Sequence, residues 1–304
     1  MIRTALATPV VLASCLMAMA WADDLSVSTA NDAAAPAADG YKLVWSDEFD
    51  VDGPPRADNW RYERGFVRNQ ELQWYRPDNA RCRGGVLVIE ARRERVPNPR
   101  YAPNQGGDSR RRDWRRSRPW AEYTSACLTT RGLHQWCYGR LEMRARIDTR
   151  PGLWPAFWTL GSARPWPACG EVDIMEYYRG LLLANAAWQG ERRTTQWDST
   201  RWPIADFGDS DWSTKFHVWR MDWDRDAIRL LVDDQLLNEI DLTKTLNSGE
   251  EGSNPFHEPH FILLNLAIGG SQGGDPSATE FPARFEVDYV RVYQPLAANT
   301  AADQ

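Results

Sequence analysis

The sequence predicts an all-β protein, an antiparallel β-sandwich of two curved sheets. Its apolar and aromatic runs are short and are separated by Gly, Pro and Asp. β-branched and aromatic residues, which favour strands, dominate these runs. Residues 41–295 contain no apolar stripe with the helical period of 3.6 residues, no internal repeat and no linker. We therefore expect one large sandwich in this part of the chain.

Ten segments have the length and composition of strands, and acidic turn sequences separate some of them. Asp224-Arg225-Asp226 and Asp233-Asp234-Gln235 are typical of turns between strands. The predicted strands are residues 41–49, 86–93, 123–130, 138–147, 153–160, 171–178, 216–223, 228–232, 260–268 and 285–293.

The first residues resemble an export signal. Arg3 is followed by an apolar run that is too short to span a bilayer, and small residues then offer a cleavage site. We interpret residues 1–22 as a signal peptide, 23–40 as a disordered leader, 41–296 as a single catalytic β-sandwich domain and 297–304 as a disordered tail. The protein is therefore expected to be secreted or periplasmic. A lipoprotein anchor at Cys15 is the less favoured alternative, because the run after it is unusually apolar for a tether.

Export permits disulfides, and four cysteines follow the predicted signal peptide. Cys127 and Cys137 lie symmetrically about Gly132, so a hairpin turning there would place them opposite each other. A Cys127–Cys137 bridge is our hypothesis. Spacing does not indicate whether Cys82 and Cys169 form a disulfide or are buried free thiols. A zinc site is not expected, because no histidine has zinc-ligand spacing with a cysteine pair.

Charge and composition restrict the class of ligand. The formal net charge is −6, whereas general nucleic-acid binding needs a basic surface. Sixteen tryptophans in 304 residues are many, and flat aromatic faces suit sugar rings as well as protein cores. These two observations favour a carbohydrate ligand.

The stretch GEVDIMEYY at residues 170–178 carries three carboxylates on one predicted strand. Side chains alternate along a strand, so a regular strand would direct Glu176 away from Glu171 and Asp173. A one-residue bulge at Ile174-Met175 would return Glu176 to their side. A solvated outer face is the ordinary explanation for such acids, but the tryptophans nearby in sequence favour an aromatic-lined groove.

Three close carboxyl groups suit glycoside hydrolysis. Neighbouring like charges raise each other's proton affinity, so one group can hold a proton while another is ionised. A retaining glycosidase uses an ionised nucleophile and a protonated acid/base about 5 to 5.5 Å apart. Glu171 and Glu176 can take these parts, with Asp173 between them. A metal site made by the three acids is a further alternative.

At this point the sequence resembles glycoside hydrolase family 16, in its laminarinase-like branch. EVDIME at residues 171–176 has the E-x-D-x-x-E form of that branch. Other matching stretches follow in the same order as in the family: LVWSDEF at 43–49, NQELQ at 69–73, LVIEA at 87–91, YGR at 138–140, LWPAFW at 153–158, LNLAIGG at 264–270 and VDYVRVY at 287–293.

The resemblance implies a jelly roll with a concave substrate cleft that cuts β-glucans internally with retention of configuration. On the matching positions, Glu171 is the nucleophile, Asp173 the assisting acid and Glu176 the general acid/base. Further residues are implied as sugar contacts, although Trp158 is equally well read as core and the Asn69 loop as a surface turn. These are Trp154, Trp158, Trp166, Asn69 and Glu71.

Several features leave the substrate open. Relatives often have Arg where Cys127 stands and a histidine in the strand that here reads ANAAW at residues 184–188. The basic run at residues 110–118 is usually a solvated loop, but near the cleft it would suit an anionic polysaccharide. An agarase-like galactan hydrolase and a lectin-like binder without turnover are therefore the alternatives to an endo-β-1,3 or mixed-linkage β-1,3/1,4-glucanase.

The resemblance also implies a structural calcium far from the acids, with no cofactor in catalysis. Glu48, Gly85 and Asp288 match the ligand positions, and hard oxygen ligands suit calcium. The sequence implies no protein partner, and we expect a monomer.

Overall fold

The computed structural model of the chain describes residues 40–103, 113–249 and 253–296. The predicted signal peptide with Cys15, the leader up to residue 39, Arg110 to Arg112 of the basic run, and the tail at 297–304 lie outside these residues. Within them, no helix has the length and hydropathy that a membrane crossing requires.

Strands dominate the described residues. The α-helical structure there is a single turn, α1, at Gly270–Gly273, and short 3₁₀ turns occur at Pro77–Asn79, Trp114–Arg116, Glu191–Arg193, Ile204–Phe207, Trp212–Thr214, Leu242–Lys244 and Pro255–His257. The strands are β1 (Tyr41–Asp47), β2 (Arg61–Tyr62), β3 (Gln73–Tyr75), β4 (Ala80–Arg83), β5 (Val86–Ala91), β6 (Val96–Pro97), β7 (Trp120–Ala121), β8 (Tyr123–Ser125), β9 (Cys127–Thr129), β10 (Gly139–Ile147), β11 (Leu153–Gly161), β12 (Glu171–Tyr178), β13 (Leu181–Gln189), β14 (Thr195–Pro203), β15 (His217–Trp223), β16 (Ala227–Val232), β17 (Gln235–Asp241), β18 (His260–Ile268) and β19 (Ala283–Pro295).

Two large antiparallel sheets contain most of these strands. An eight-stranded sheet has the order β17-β16-β15-β10-β19-β5-β4, and β1 also pairs with β19. A seven-stranded sheet has the order β14-β13-β12-β11-β18-β9-β2. Neighbours in these sheets are often distant in sequence, as expected for a jelly roll. The predicted antiparallel β-sandwich is confirmed.

The core lies between the two sheets. One large cluster of buried side chains includes alternate residues of β10 and β15 from one sheet and residues of β11, β12 and β18 from the other. A smaller cluster of Tyr75, Cys127, Ala156, Trp158, Phe261 and Leu263 lies apart from it and includes neighbouring residues of the same β11 strand. Since side chains alternate across a strand, β11 is buried on both faces, which explains its unbroken apolar sequence.

The strand predictions fail in two ways. The predicted strand at residues 123–130 is divided: β8 pairs with β3 in a small parallel sheet, whereas β9 pairs with β18 in the seven-stranded sheet. β2, β3, β4, β6, β7, β14 and β17 were not predicted, and of β13 only residues 184–188 were described as a strand. β14 alternates polar and aromatic residues without a continuous apolar run, because one of its faces is exposed. By contrast, the predicted turn between β16 and β17 is present, with Asp233 and Asp234 at φ 46° and 66°, as two-residue hairpin turns require.

The predicted Cys127–Cys137 bridge is wrong. The cysteines at 82, 127, 137 and 169 are all free thiols. Gly132 does not turn a hairpin between paired strands, because β9 pairs with β18 and β2 while β10 pairs with β15 and β19 in the opposite sheet. Symmetric spacing in sequence therefore did not place the two side chains on facing strands.

Candidate active site

A bulge in β12 places the three acids on one face of the seven-stranded sheet. The register against β13 shifts between Asp173 and Glu176, and that against β11 shifts at the same point. Val172, Ile174 and Met175 consequently pack into the core, whereas Glu171, Asp173 and Glu176 line a cavity of 810 Å³. The predicted bulge is confirmed.

Strand register places the three acids in three rows of paired residues that cross the sheet. Each row contains one acid, so each acid has defined neighbours on β14, β13, β11 and β18. The first row is Trp197, Ala187, Glu171, Leu160 and Phe261; the second is Ser199, Asn185, Asp173, Trp158 and Leu263; the third is Arg201, Leu183, Glu176, Ala156 and Asn265.

Glu171 lies at one end of the triad. Its Oε2 accepts a hydrogen bond from the Trp166 indole N–H at 2.8 Å. Burial raises the pKa of Glu171 and the negative charge of Asp173 raises it further, while the Trp166 bond and the positive charge of Arg68 oppose this rise. The Trp166 hydrogen bond and the charge of Arg68 therefore both favour the ionised form of Glu171.

Asp173 lies between the two glutamates and is 5% exposed. Its Oδ2 accepts a hydrogen bond from the Asn185 side-chain amide at 3.2 Å. Burial raises the pKa of Asp173, and the hydrogen bonds from Asn185 and with Glu171 act in the opposite direction. Asp173 thus couples the protonation of its neighbours.

Glu176 has the most strongly raised proton affinity. Burial raises its pKa well above the usual range, and the charges of Asp173 and Glu171 add to this effect. The Trp154 indole N–H donates to Glu176 Oε1 at 2.6 Å, which opposes the rise and fixes the carboxyl group in position. Because three close carboxyl groups cannot all ionise, Glu176 is the group best suited to hold a proton at neutral pH.

The three predicted tryptophans line the cavity in different ways. Trp166 is 52% exposed and presents an open ring face at the mouth, whereas Trp154 and Trp158 are each 6% exposed and belong to the wall. Trp158 donates to Asn265 Oδ1 at 2.7 Å and packs in the smaller cluster. Trp158 is therefore a core residue that also lines the cavity, and its contact with a sugar stays a prediction.

The loop before β3 brings Asn69 and Glu71 to the same cavity. Asn69 is exposed, with φ 53°. Glu71 is only 2% exposed and accepts a hydrogen bond from the Gln73 side chain at 2.6 Å. Burial raises the pKa of Glu71. The surface-turn alternative therefore fits the position of Asn69 but not that of Glu71.

Several residues that line the cavity were not among the sugar contacts predicted from the sequence. The alternation of Trp197, Ser199 and Arg201 along β14 is the signal that was available, since these positions share one face of a strand. Arg68 and Tyr178 gave no such signal. The further wall residues include Val67, Arg68, Trp114, Arg115, Tyr178, Asn185, Trp197, Ser199, Arg201, Asn265 and Gln272.

The predicted calcium residues lie away from this cavity, around the eight-stranded sheet. The Glu48 carboxylate accepts two hydrogen bonds from Arg291, at 2.8 and 3.0 Å, and Asp288 pairs with Arg144 at 2.6 Å. Gly85 lies in the turn between β4 and β5. Among residues 40–103, 113–249 and 253–296, no group of three or more His, Cys, Asp or Glu is arranged to hold a metal. Both carboxylates are paired with an arginine, so as placed they do not fit a cation.

A buried carboxyl triad in a tryptophan-lined cavity on one sheet of a sandwich defines a glycoside hydrolase acting on a polysaccharide. The sequence profile described as "Glycosyl hydrolases family 16" matches residues 115–291. The chain belongs to this family.

Similar proteins and solved structures agree with this family assignment. A beta-glucanase of Rhodothermus marinus is 39% identical over 277 residues, which are 84% of this chain and 85% of that protein. The catalytic domain of an endo-1,3-beta-glucanase (laminarinase) from Thermotoga petrophila is 34% identical with a TM-score of 0.68, covering 84% of this chain and 98% of that one. A structure from work on endo-acting O-glycanases of the human gut microbiota is 33% identical with a TM-score of 0.76, covering 86% and 93%.

Replacing Trp166 with phenylalanine is expected to shift the acid limb of the pH profile of kcat/KM. Because the indole N–H stabilises ionised Glu171, its loss raises the Glu171 pKa, and the nucleophile then becomes ionised only at higher pH. We expect the acid limb to move up by roughly half a pH unit, with the alkaline limb unchanged. Trp120→Phe, at an exposed tryptophan outside the cavity, is the control. An unchanged acid limb in a folded Trp166→Phe enzyme would contradict the role of this bond.

Proposed function

We propose that the protein is a retaining endo-β-glucanase that hydrolyses β-1,3 or mixed β-1,3/1,4 glucans through a glycosyl-enzyme intermediate. The observation that carries this proposal is the bulged strand, which gives one face two glutamates with different hydrogen-bond donors and an aspartate between them. The names of the glucanase relatives support the choice of glucan.

In the first step Glu171 attacks the anomeric carbon while Glu176 donates its proton to the glycosidic oxygen. The C–O bond to the leaving sugar breaks, and an ester forms between Glu171 and the remaining glycosyl unit. In the second step Glu176, now ionised, takes a proton from water, and the water oxygen attacks the same carbon and releases Glu171. Each step inverts the configuration at the anomeric carbon, so the two steps together retain it. Asp173 restrains Glu171 and adjusts the proton affinity of both glutamates.

The extent of the cavity across the sheet supports internal cleavage. Its wall runs from Trp197 and Arg201 on β14 to Asn69 and Trp114 on the other side of the triad. The triad lies between these two sides. The cavity thus has wall residues on both sides of the triad, and internal cleavage requires sugar units to bind on both sides of the scissile bond.

Reducing-end release on laminarin, mixed-linkage glucan, agarose and a sulfated galactan tests the proposal, with Glu171→Ala measured alongside. We expect turnover of laminarin or mixed-linkage glucan by the wild-type protein and none by the variant. Turnover of a galactan alone would replace the glucan assignment. Binding of a polysaccharide without turnover would favour a lectin-like role.

A sulfated or otherwise anionic galactan is the second candidate substrate. Arg115 and Arg201 line the cavity, so part of the basic run reaches the site. Arg201 is exposed, and no carboxylate in the described part of the chain pairs with it. Guanidinium groups bind sulfate and carboxylate bidentately, which is the reason for including the sulfated galactan in the test.

We propose that any structural calcium is held mainly by backbone oxygens near Glu48, Gly85 and Asp288, because arginines occupy the two carboxylates. The expected result is a lower melting temperature in EDTA that added CaCl₂ restores. Catalysis itself is expected to need no cofactor. A melting temperature that does not respond to either addition would reject the calcium.

We propose that the protein is exported, to the medium or the periplasm, and acts as a monomer without a protein partner. The signal-like N-terminal sequence and a polysaccharide substrate support this. N-terminal sequencing of the mature protein checks the cleavage site and excludes or establishes acylation at Cys15, while light scattering checks the monomer.

A further inference from the structure

We infer that Arg68 is a substrate-binding residue that donates a hydrogen bond from Nη1 to a hydroxyl oxygen of the sugar unit bound beside Trp158. The inference rests on the proposed polysaccharide hydrolysis at this site and adds a specificity-determining contact to it. Arg68 lies in the segment between β2 and β3 and lines the cavity with Trp158 and the acids.

The guanidinium group of Arg68 is held in place on two sides. It lies over the ring of Trp158, 5.0 Å from the centroid, and its Nη2 donates to Glu63. Glu63 is itself fixed, because its backbone N–H donates to the Cys127 carbonyl of β9 at 3.1 Å. A group positioned before the ligand arrives loses little conformational freedom when it binds.

The remaining terminal nitrogen of Arg68 has no partner. Nη1 is buried, and it makes no hydrogen bond within the part of the chain that the structure describes. Buried polar atoms are nearly always paired, since an unpaired donor has lost its water without replacement. A sugar oxygen entering the cavity beside Trp158 would supply the missing acceptor. Arg220 also has a buried nitrogen without a partner, but only the orphan donor of Arg68 belongs to a residue that lines this cavity.

The charges around Arg68 favour a neutral hydroxyl over an anionic substituent. Glu63 neutralises the guanidinium group directly, and the positive charge of Arg68 also opposes the rise in the pKa of Glu71 and of Glu171. Arg68 is thus ion-paired with Glu63 and also interacts electrostatically with Glu71 and Glu171. An incoming sulfate or carboxylate would meet net negative charge here, whereas a hydroxyl oxygen needs only the free N–H. Discrimination against sugars that lack this hydroxyl follows, because the buried donor then stays unpaired.

Calorimetric binding of laminarihexaose to the Glu171→Gln protein tests the assignment. Adding Arg68→Met to this background keeps the apolar stem over Trp158 but removes every donor, and we expect the Kd to rise about 10- to 100-fold. Adding Arg68→Lys retains a charge for Glu63 but not the Nη1 donor. We expect it to melt close to the parent temperature while binding is weakened to a similar degree.

Arg76→Met is the matched control. Arg76 pairs with Glu94 at 2.7 Å with side-chain exposures of 26% and 34%, close to those of the Arg68–Glu63 pair at 23% and 25%, and it does not line the cavity. We expect it to change stability but not the Kd. Equal Kd values for the Glu171→Gln protein and its folded Arg68→Lys form would overturn the assignment of Arg68 alone. Failure of the Glu171→Gln protein to bind laminarihexaose, with no turnover of laminarin by wild type, would overturn the proposed function and this assignment together.

Discussion

Glu171→Gly is expected to reduce the hydrolysis of laminarin by roughly 10⁴-fold or more, because it removes the atom that bonds to the anomeric carbon. Its carboxylate is the one that receives the Trp166 indole N–H and lies within the field of Arg68. Reducing-end release measured over a wide range of enzyme concentration checks the loss. The fold should be retained, since the side chain faces the cavity and not the core.

Rescue by azide separates the loss of a nucleophile from general damage. In Glu171→Gly, azide can enter the vacated space and attack the anomeric carbon of an activated aryl β-glucoside, and a single inversion gives the α-glycosyl azide. Glu142→Gln serves as control, because Glu142 binds Tyr289 in the opposite sheet at 2.8 Å and should stay active without azide. Retention of substantial laminarin hydrolysis by Glu171→Gly would contradict its role as nucleophile.

Glu176→Gln should produce a loss that depends on the leaving group. The raised proton affinity of Glu176 suits it to protonate the departing sugar oxygen, and general acid catalysis contributes about 10²- to 10⁴-fold. We expect laminarin hydrolysis to fall by that amount. Glycosyl-enzyme formation from a dinitrophenyl glycoside, whose leaving group needs no proton, should be little affected. Pre-steady-state release of dinitrophenol measures this step directly.

The pH profile gives an independent check on Glu176. Wild-type kcat/KM should fall at high pH as the general acid loses its proton, and this alkaline limb should be absent from Glu176→Gln. Equal losses on laminarin and on the dinitrophenyl glycoside, with the alkaline limb unchanged, would mean that another group supplies the proton.

The acids show how far local sequence can determine a site. Period-two alternation is a property of one short strand, so residues 170–178 showed that Glu176 could share a face with Glu171 and Asp173 only through a bulge, and that bulge was found in the structure. The sandwich itself was equally predictable, because short strands without helical periodicity leave few other ways of burying apolar faces. The turn at Asp233 and Asp234 followed from the same kind of local chemistry.

Errors arose wherever pairing between distant segments decided the outcome. Symmetry about Gly132 suggested a bridge between Cys127 and Cys137, but β9 and β10 enter different sheets. β14 was missed because its alternating Trp197, Ser199 and Arg201 look like a polar loop until β13 pairs with it. Arg68 looks like one surface arginine among many in the sequence.

Sequence by itself thus determined the class of fold and the identity of the three acids, whereas their common side depended on a bulge that the sequence could only suggest. Tertiary structure alone decided which indole N–H contacts each glutamate, which arginines reach the cavity, and that Arg68 is held by Glu63 and Trp158 with one donor unpaired. The physical reason is that side-chain alternation depends on neighbours along the chain. Hydrogen bonds, ion pairs and burial depend instead on the register between strands, and this register joins residues more than a hundred positions apart.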